Sequence, residues 1–158
     1  MTHLANSDNW IVAITTLIVV SLCIGLHYEV LSNCSRYLPI VSHQRRRRVI
    51  FLILIILVTH VIEMWFFALG YYFLVQFDTL GTLSSTAIVG NGAEIVSLLD
   101  YAYYSAMVYT TVGFGDIVPS GPIRLMTGME ALTGLVMITW SASFTFLEMQ
   151  RDWPPGRS

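Results

Sequence analysis

The chain has 158 residues, 55% hydrophobic and 11% charged, with a formal net charge of −2. Soluble domains carry about a quarter charged residues, so too few charges are present to cover a globule of this size. The shortage is clustered in three nearly unbroken apolar runs, 10–31, 49–75 and 123–147. Each exceeds the roughly 20 residues that an α-helix needs to cross about 30 Å of hydrocarbon. A soluble enzyme, a disordered chain and a disulfide scaffold are excluded, and the chain is expected to live in a lipid bilayer.

The first run is preceded by His3 and Asp8 but by no Lys or Arg. Signal peptides begin with basic residues and end a short apolar core at a small-residue cleavage site, so a retained helix is expected here. Cys23 and Cys34 lie eleven residues apart. On a helix that is roughly 16 Å, too far for a disulfide.

All eight basic residues are Arg. Arg36, Arg45, Arg46, Arg47 and Arg48 fill the first link, Arg151 and Arg157 follow the third run, and Arg124 stands at its start. Arginines near membrane ends stay in the cytoplasm, which puts the first link and the C-terminus inside. The N-terminus and 76–122 are then outside. Asp8, Asp78, Glu94, Asp100 and Asp116 face Arg124 alone on that side, and an acidic outer face concentrates cations. The four consecutive arginines are read as a topology signal, so no nucleic-acid partner is expected. No run carries the spaced arginines of a voltage sensor.

Between the second and third runs, 76–93 is polar with several Gly, Ser and Thr and reads as a loop. From Glu94 the chain is apolar and aromatic again but too short to span, which suggests a re-entrant helix. It ends at Thr110-Thr111-Val112-Gly113-Phe114-Gly115-Asp116, followed by Pro119, Gly121 and Pro122. Alternate glycines allow backbone conformations that other residues avoid. Irregular backbone at membrane depth survives only where protein buries it or water adjoins it. A half-buried helix leading into such a segment between two spans therefore suggests a pore, with the helix C-terminus favouring a cation nearby.

The segment TTVGFGD resembles the selectivity filter of potassium channels, with Phe114 where Tyr is usual. The likeness runs from about Val49 to Leu147 and is similar to the pore domain of bacterial two-helix channels, with one additional N-terminal span. It implies an all-α membrane protein of three transmembrane helices plus a re-entrant pore helix and an extended filter. The divisions are 1–48, an N-terminal helix and basic cytoplasmic loop; 49–147, the pore domain; and 148–158, a short cytoplasmic tail. It further implies that the carbonyls of Thr111, Val112, Gly113 and Phe114, with the Thr111 hydroxyl, form stacked oxygen rings. One loop supplies one oxygen per ring, so a homotetramer in the lipid bilayer is expected, with potassium as the permeant ion and no other cofactor or metal. Thr110 and Gly115 support the filter, and Asp116 rings the outer mouth of a channel in the plasma (inner) membrane.

Phe114 cannot make the hydrogen bond a Tyr hydroxyl can, which leaves open a weakly selective cation channel. Met107 stands where some relatives have a carboxylate behind the filter. Tyr104 is placed to donate to Asp116 or simply to pack. Gly134 matches a hinge position of relatives, with close helix packing as the alternative. Leu135, Ile138, Ala142 and Phe146 share a helical face with it that is expected to line the cavity. Glu130, a carboxylate inside a span, is expected to face protein or water; a structural hydrogen bond is preferred to a proton sensor. His60 and Glu63 share a face at i, i+3 and are read as a structural pair, with a pH-sensitive contact as the alternative. A metal site needs more ligands than these two.

Eleven residues follow Leu147, with Pro154-Pro155 among them, so no cytoplasmic ligand-binding gate is expected. The first span serves as a topology anchor, a packing partner outside the pore or a contact to another subunit. No enzyme signature stands out. A non-conducting structural or regulatory subunit of a channel complex remains the reading from another class, and a separate regulatory partner stays open.

Overall fold

A computed structural model describes residues 4–41, 45–85, 93–94 and 97–152. Three long helices dominate: α1 (Leu4–Val41), α2 (Arg45–Val75) and α4 (Arg124–Asp152). Each contains an apolar stretch long enough to cross a membrane, 8–37, 47–75 and 121–151 with the short turn before α4 included. Hydroxyls inside these helices satisfy themselves by bonding to the carbonyl one turn back, as Thr16 does to Val12 at 2.7 Å and Thr133 to Met129 at 2.7 Å. In hydrocarbon that local bond removes the cost of an unpartnered polar group. Cys23 and Cys34 are buried free thiols.

The region between α2 and α4 departs from the loop expected over 76–93. Strand β1 (Thr82–Ser85) pairs antiparallel with β2 (Ala93–Glu94) and with β3 (Ile117–Ser120), giving a sheet of order β2-β1-β3. Thr82 faces Ser120 and Ser85 faces Ile117. The strand forms because Leu83, flanked by polar residues, turns one side chain fully into the core while its neighbours stay half-exposed. The pairing fastens the segment just after Asp116 to the end of α2.

The re-entrant helix α3 (Leu98–Tyr109) starts later than the expected Glu94, which lies in β2 opposite Ser84. Ile95 and Val96 fall outside the described residues, as do Arg157 and Pro154-Pro155 of the tail. A 3₁₀ turn at Gly121–Ile123, with Pro122 in its first turn, leads into α4.

The four helices share one core, with α3 resting mainly on α2 and α4. Val12, Val19 and Cys23 of α1 meet Phe67, Ala68, Tyr71 and Leu74 of α2, Tyr101, Tyr104 and Tyr109 of α3, and Met126 and Met137 of α4. The first helix thus packs on the pore-forming elements of its own chain, in keeping with one of its three expected uses. Many apolar side chains still point outward, among them Leu17 and Leu22 on α1, Leu54 and Leu57 on α2, and Leu132 and Leu135 on α4. Apolar surface of this extent is for lipid or for another protein surface. Lipid tails are as apolar as these side chains, so helix association in the bilayer rests on close packing and interhelical hydrogen bonds.

Candidate functional site

Ser97 caps α3, its hydroxyl accepting the Leu99 N–H at 3.3 Å, and Asp100 complements the positive end of the helix. At the other end Thr110 closes the last turn. Its N–H bonds the Ala106 carbonyl at 3.1 Å and its hydroxyl bonds the same oxygen at 2.7 Å. The Thr111 N–H bonds Val108 at 2.9 Å and the Gly113 N–H reaches back to Met107 at 3.1 Å. From Val112 to Phe114 there is no regular structure. Gly113 and Gly115 have φ of 53° and 78°, and Thr111 has φ of 60°. The first two are where a side chain is strained, as glycine at both positions anticipates; Thr111 adopts the same region without that freedom.

The segment lies on the surface of its own chain. Val112 is 53% and Phe114 70% exposed. On α4, Leu135, Ile138, Ala142 and Phe146 are also exposed, so this chain covers neither the segment nor that helical face.

Behind the segment, of the two roles open to Tyr104 the structure takes packing, and the bond to Asp116 comes from its neighbour. Tyr103, not Tyr104, donates to Asp116 Oδ2, at 2.8 Å. Tyr104 is buried and its hydroxyl meets Thr127 Oγ1 at 2.9 Å, with its ring edge-on to Tyr71. Successive helical residues sit about 100° apart, so only one of the adjacent tyrosines can face the exit of the segment. Tyr104 shares the inward face with Tyr101 and Ser105. The Asp116 carboxylate that accepts its proton holds the Tyr103 phenol above its usual range.

Glu130 is fully buried and accepts from Ser105 of α3 and Tyr71 of α2. Ser105 also lies 2.8 Å from the Met64 carbonyl. This is the expected hydroxyl network at the pore helix. Gly134, one turn on, lets α4 press against the end of α3; a Cβ there would run into the Tyr109 carbonyl.

Glu63 is likewise fully buried and centres a second network. His60 Nδ1 lies 3.1 Å from Oε2, the expected i, i+3 pair. Tyr109, the last residue of α3, donates to the same oxygen. His27 of α1, unremarked in the sequence, brings Nδ1 to 2.8 Å from Oε1. Ser141 Oγ of α4 sits 3.0 Å from His27 Nε2 and 3.2 Å from His60 Nε2. Helices α1, α2 and α3 therefore converge on one carboxylate, and α4 reaches it through the two imidazoles. The signal for His27 was a heptad-like inward stripe on α1, where Val12, Thr16, Val19, Cys23 and His27 are all buried.

Comparison with known proteins matches residues 48–151 to a family model described as "Ion channel". No curated protein and no solved structure matches the chain. The match begins at the start of α2 and ends in the last turn of α4, taking in the re-entrant helix and the irregular segment between them. With three helices fit to span a bilayer, the protein is a multi-pass membrane protein, and it belongs to the ion channel family that includes potassium-channel pore domains.

Proposed function

We propose that the protein conducts potassium passively through a homotetramer in which four copies of Thr111, Val112, Gly113 and Phe114 line one filter. The observation that carries this reading is the surface position of the TTVGFGD segment at the C-terminal end of α3. A filter must present its carbonyls to an ion rather than to its own chain. Oxygens spaced to replace a hydration shell favour potassium, and the α3 C-terminus adds partial negative charge. Thr110, Gly115 and Asp116 support the segment. Leu135, Ile138, Ala142 and Phe146, exposed on a single chain, line the inner cavity of the assembly. The arginine distribution favours an external N-terminus and filter and a cytoplasmic C-terminus.

The test is flux of potassium and of sodium into liposomes holding the purified protein. Potassium flux is expected to exceed sodium flux greatly and to vanish in Gly113→Ala, because a side chain at φ 53° is strained. Equal flux of both ions would instead establish a weakly selective channel, for which the missing hydroxyl of Phe114 is the cause to examine. A tetramer silent under every ionic gradient would refute conduction by this chain alone.

A further inference from the structure

We propose that His27, His60 and Glu63 form a binding site for one divalent transition-metal ion per chain, of the zinc class, which ties the first helix to the second beside the last turn of the pore helix. The ligand atoms of these three residues all lie within 4.8 Å of one another. Both imidazoles aim Nδ1 at the same carboxylate, at 2.8 and 3.1 Å. Edges of a tetrahedral zinc site built on bonds of about 2.0–2.1 Å measure about 3.3 Å, longer than these two contacts and shorter than the 4.8 Å that bounds the group, so side-chain shifts on the order of an ångström admit an ion.

A count of protons supports a cation here. Six close contacts join the group: each Nδ1 to Glu63, the Tyr109 hydroxyl to Glu63 and to His60 Nδ1, and each Nε2 to Ser141. Two neutral imidazoles, one phenol and one serine hydroxyl bring four protons. With Glu63 ionised the group carries a net negative charge and has too few protons for its contacts, and a metal ion makes up both in a definite way. The Ser141 oxygen has two lone pairs and can accept both Nε2–H groups. That leaves both Nδ1 lone pairs directed at the space beside Glu63, where they would repel its oxygens without a cation between them. A second-sphere acceptor that fixes the tautomer of metal-bound imidazoles is the usual arrangement.

Two imidazoles and one carboxylate suit zinc, nickel or cobalt(II), whereas calcium and magnesium require oxygen ligands throughout. The Tyr109 hydroxyl, 3.0 Å from His60 Nδ1, is placed to be a fourth ligand or to bond the carboxylate. An ion at Glu63 competes with the Tyr109 proton for the same oxygen. It thereby acts on the residue immediately before Thr110, and this holds whichever ion the filter passes.

The test is zinc uptake by untagged, detergent-purified protein, read by calorimetry and by metal analysis after gel filtration. One zinc ion per chain is expected, saturable and unaffected by excess magnesium. His27→Gln and His60→Gln should each weaken uptake by more than the roughly 10–100-fold that loss of an outer partner costs, and Ser141→Ala by about that 10–100-fold. Cobalt(II) should give the intense visible absorption of a tetrahedral site in the wild-type protein. This last reading needs no variant and keeps the proposal open to refutation if the histidine variants fail to fold. Folded wild-type protein that takes up no zinc would leave the missing charge to a proton and overturn the proposal. Uptake unchanged in both histidine variants, or cobalt bound without tetrahedral absorption, would overturn it equally.

Discussion

Glu130 accepts only from hydroxyls, those of Tyr71 and Ser105, whereas Glu63 is faced by two imidazoles and a phenol. Both carboxylates are fully buried and both hold α3, one near its middle and one at its end. In lipid, where apolar contacts offer no transfer gain, such bonds decide how firmly the pore helix is held. The difference is in what each network can tolerate. Neutral hydroxyls can turn around and become acceptors, so the Glu130 network can survive the loss of a charge. A ring nitrogen exchanges donor for acceptor only by moving its proton to the other nitrogen, which here faces Ser141, and a second helix, α1, depends on the Glu63 network.

Substituting the same amide at both positions tests that contrast. Glu63→Gln should have the largest effect, roughly 3–5 kcal/mol, because it removes the buried charge on which two imidazoles and a phenol converge. Loss of the intact oligomer on gel filtration, together with a lower melting temperature, is the expected outcome. Gly134→Ala comes next. Its Cβ would press on the Tyr109 backbone, so it strains the Glu63 end from the opposite side. Overpacking of this kind costs about 1–3 kcal/mol, and potassium flux should fall with stability.

Glu130→Gln should cost less, about 1–2 kcal/mol. The Ser105 hydroxyl can donate to the Met64 carbonyl at 2.8 Å and accept from the new amide. Melting curves of the two glutamine variants side by side are the measurement. If Glu130→Gln proved as damaging as Glu63→Gln, the chemistry of the donors would be irrelevant and burial alone would set the cost.

The asymmetry between these networks was only partly legible in the sequence. A carboxylate in an apolar run announces itself, and i, i+3 spacing joins His60 to Glu63 without any tertiary knowledge. Hydropathy placed the three spans, since nothing but a helix satisfies its own backbone over such lengths. His27 lies 36 residues from Glu63, and only the packing of α1 on α2 brings them together. The rotation of α3 was equally hidden. Adjacent Tyr103 and Tyr104 have the same composition, and which one turns inward depends on how α3 seats against α2 and α4. Strand β1 escaped notice because its single core residue, Leu83, sits among serines and threonines that read as a turn.

The rotation of α3 also sets the smallest expected effect. The Tyr103 contact to Asp116 lies at the exposed face of the helix, where water competes for both partners. Tyr103→Phe should therefore leave potassium flux largely intact and lower the melting temperature slightly. Its pH dependence has a definite sign. The Tyr103 phenol is held above the ordinary tyrosine value, first by the hydrogen bond to Asp116. A group whose folded value is raised contributes fully below the unfolded value and loses that contribution as the pH rises through the folded one. The gap between wild type and Tyr103→Phe should thus be present near pH 8 and close at strongly alkaline pH, beyond the ordinary tyrosine range of about 10. A gap that stayed constant through that range would assign the stabilisation to contacts of the hydroxyl oxygen, and the phenol proton would have no part in fixing Asp116.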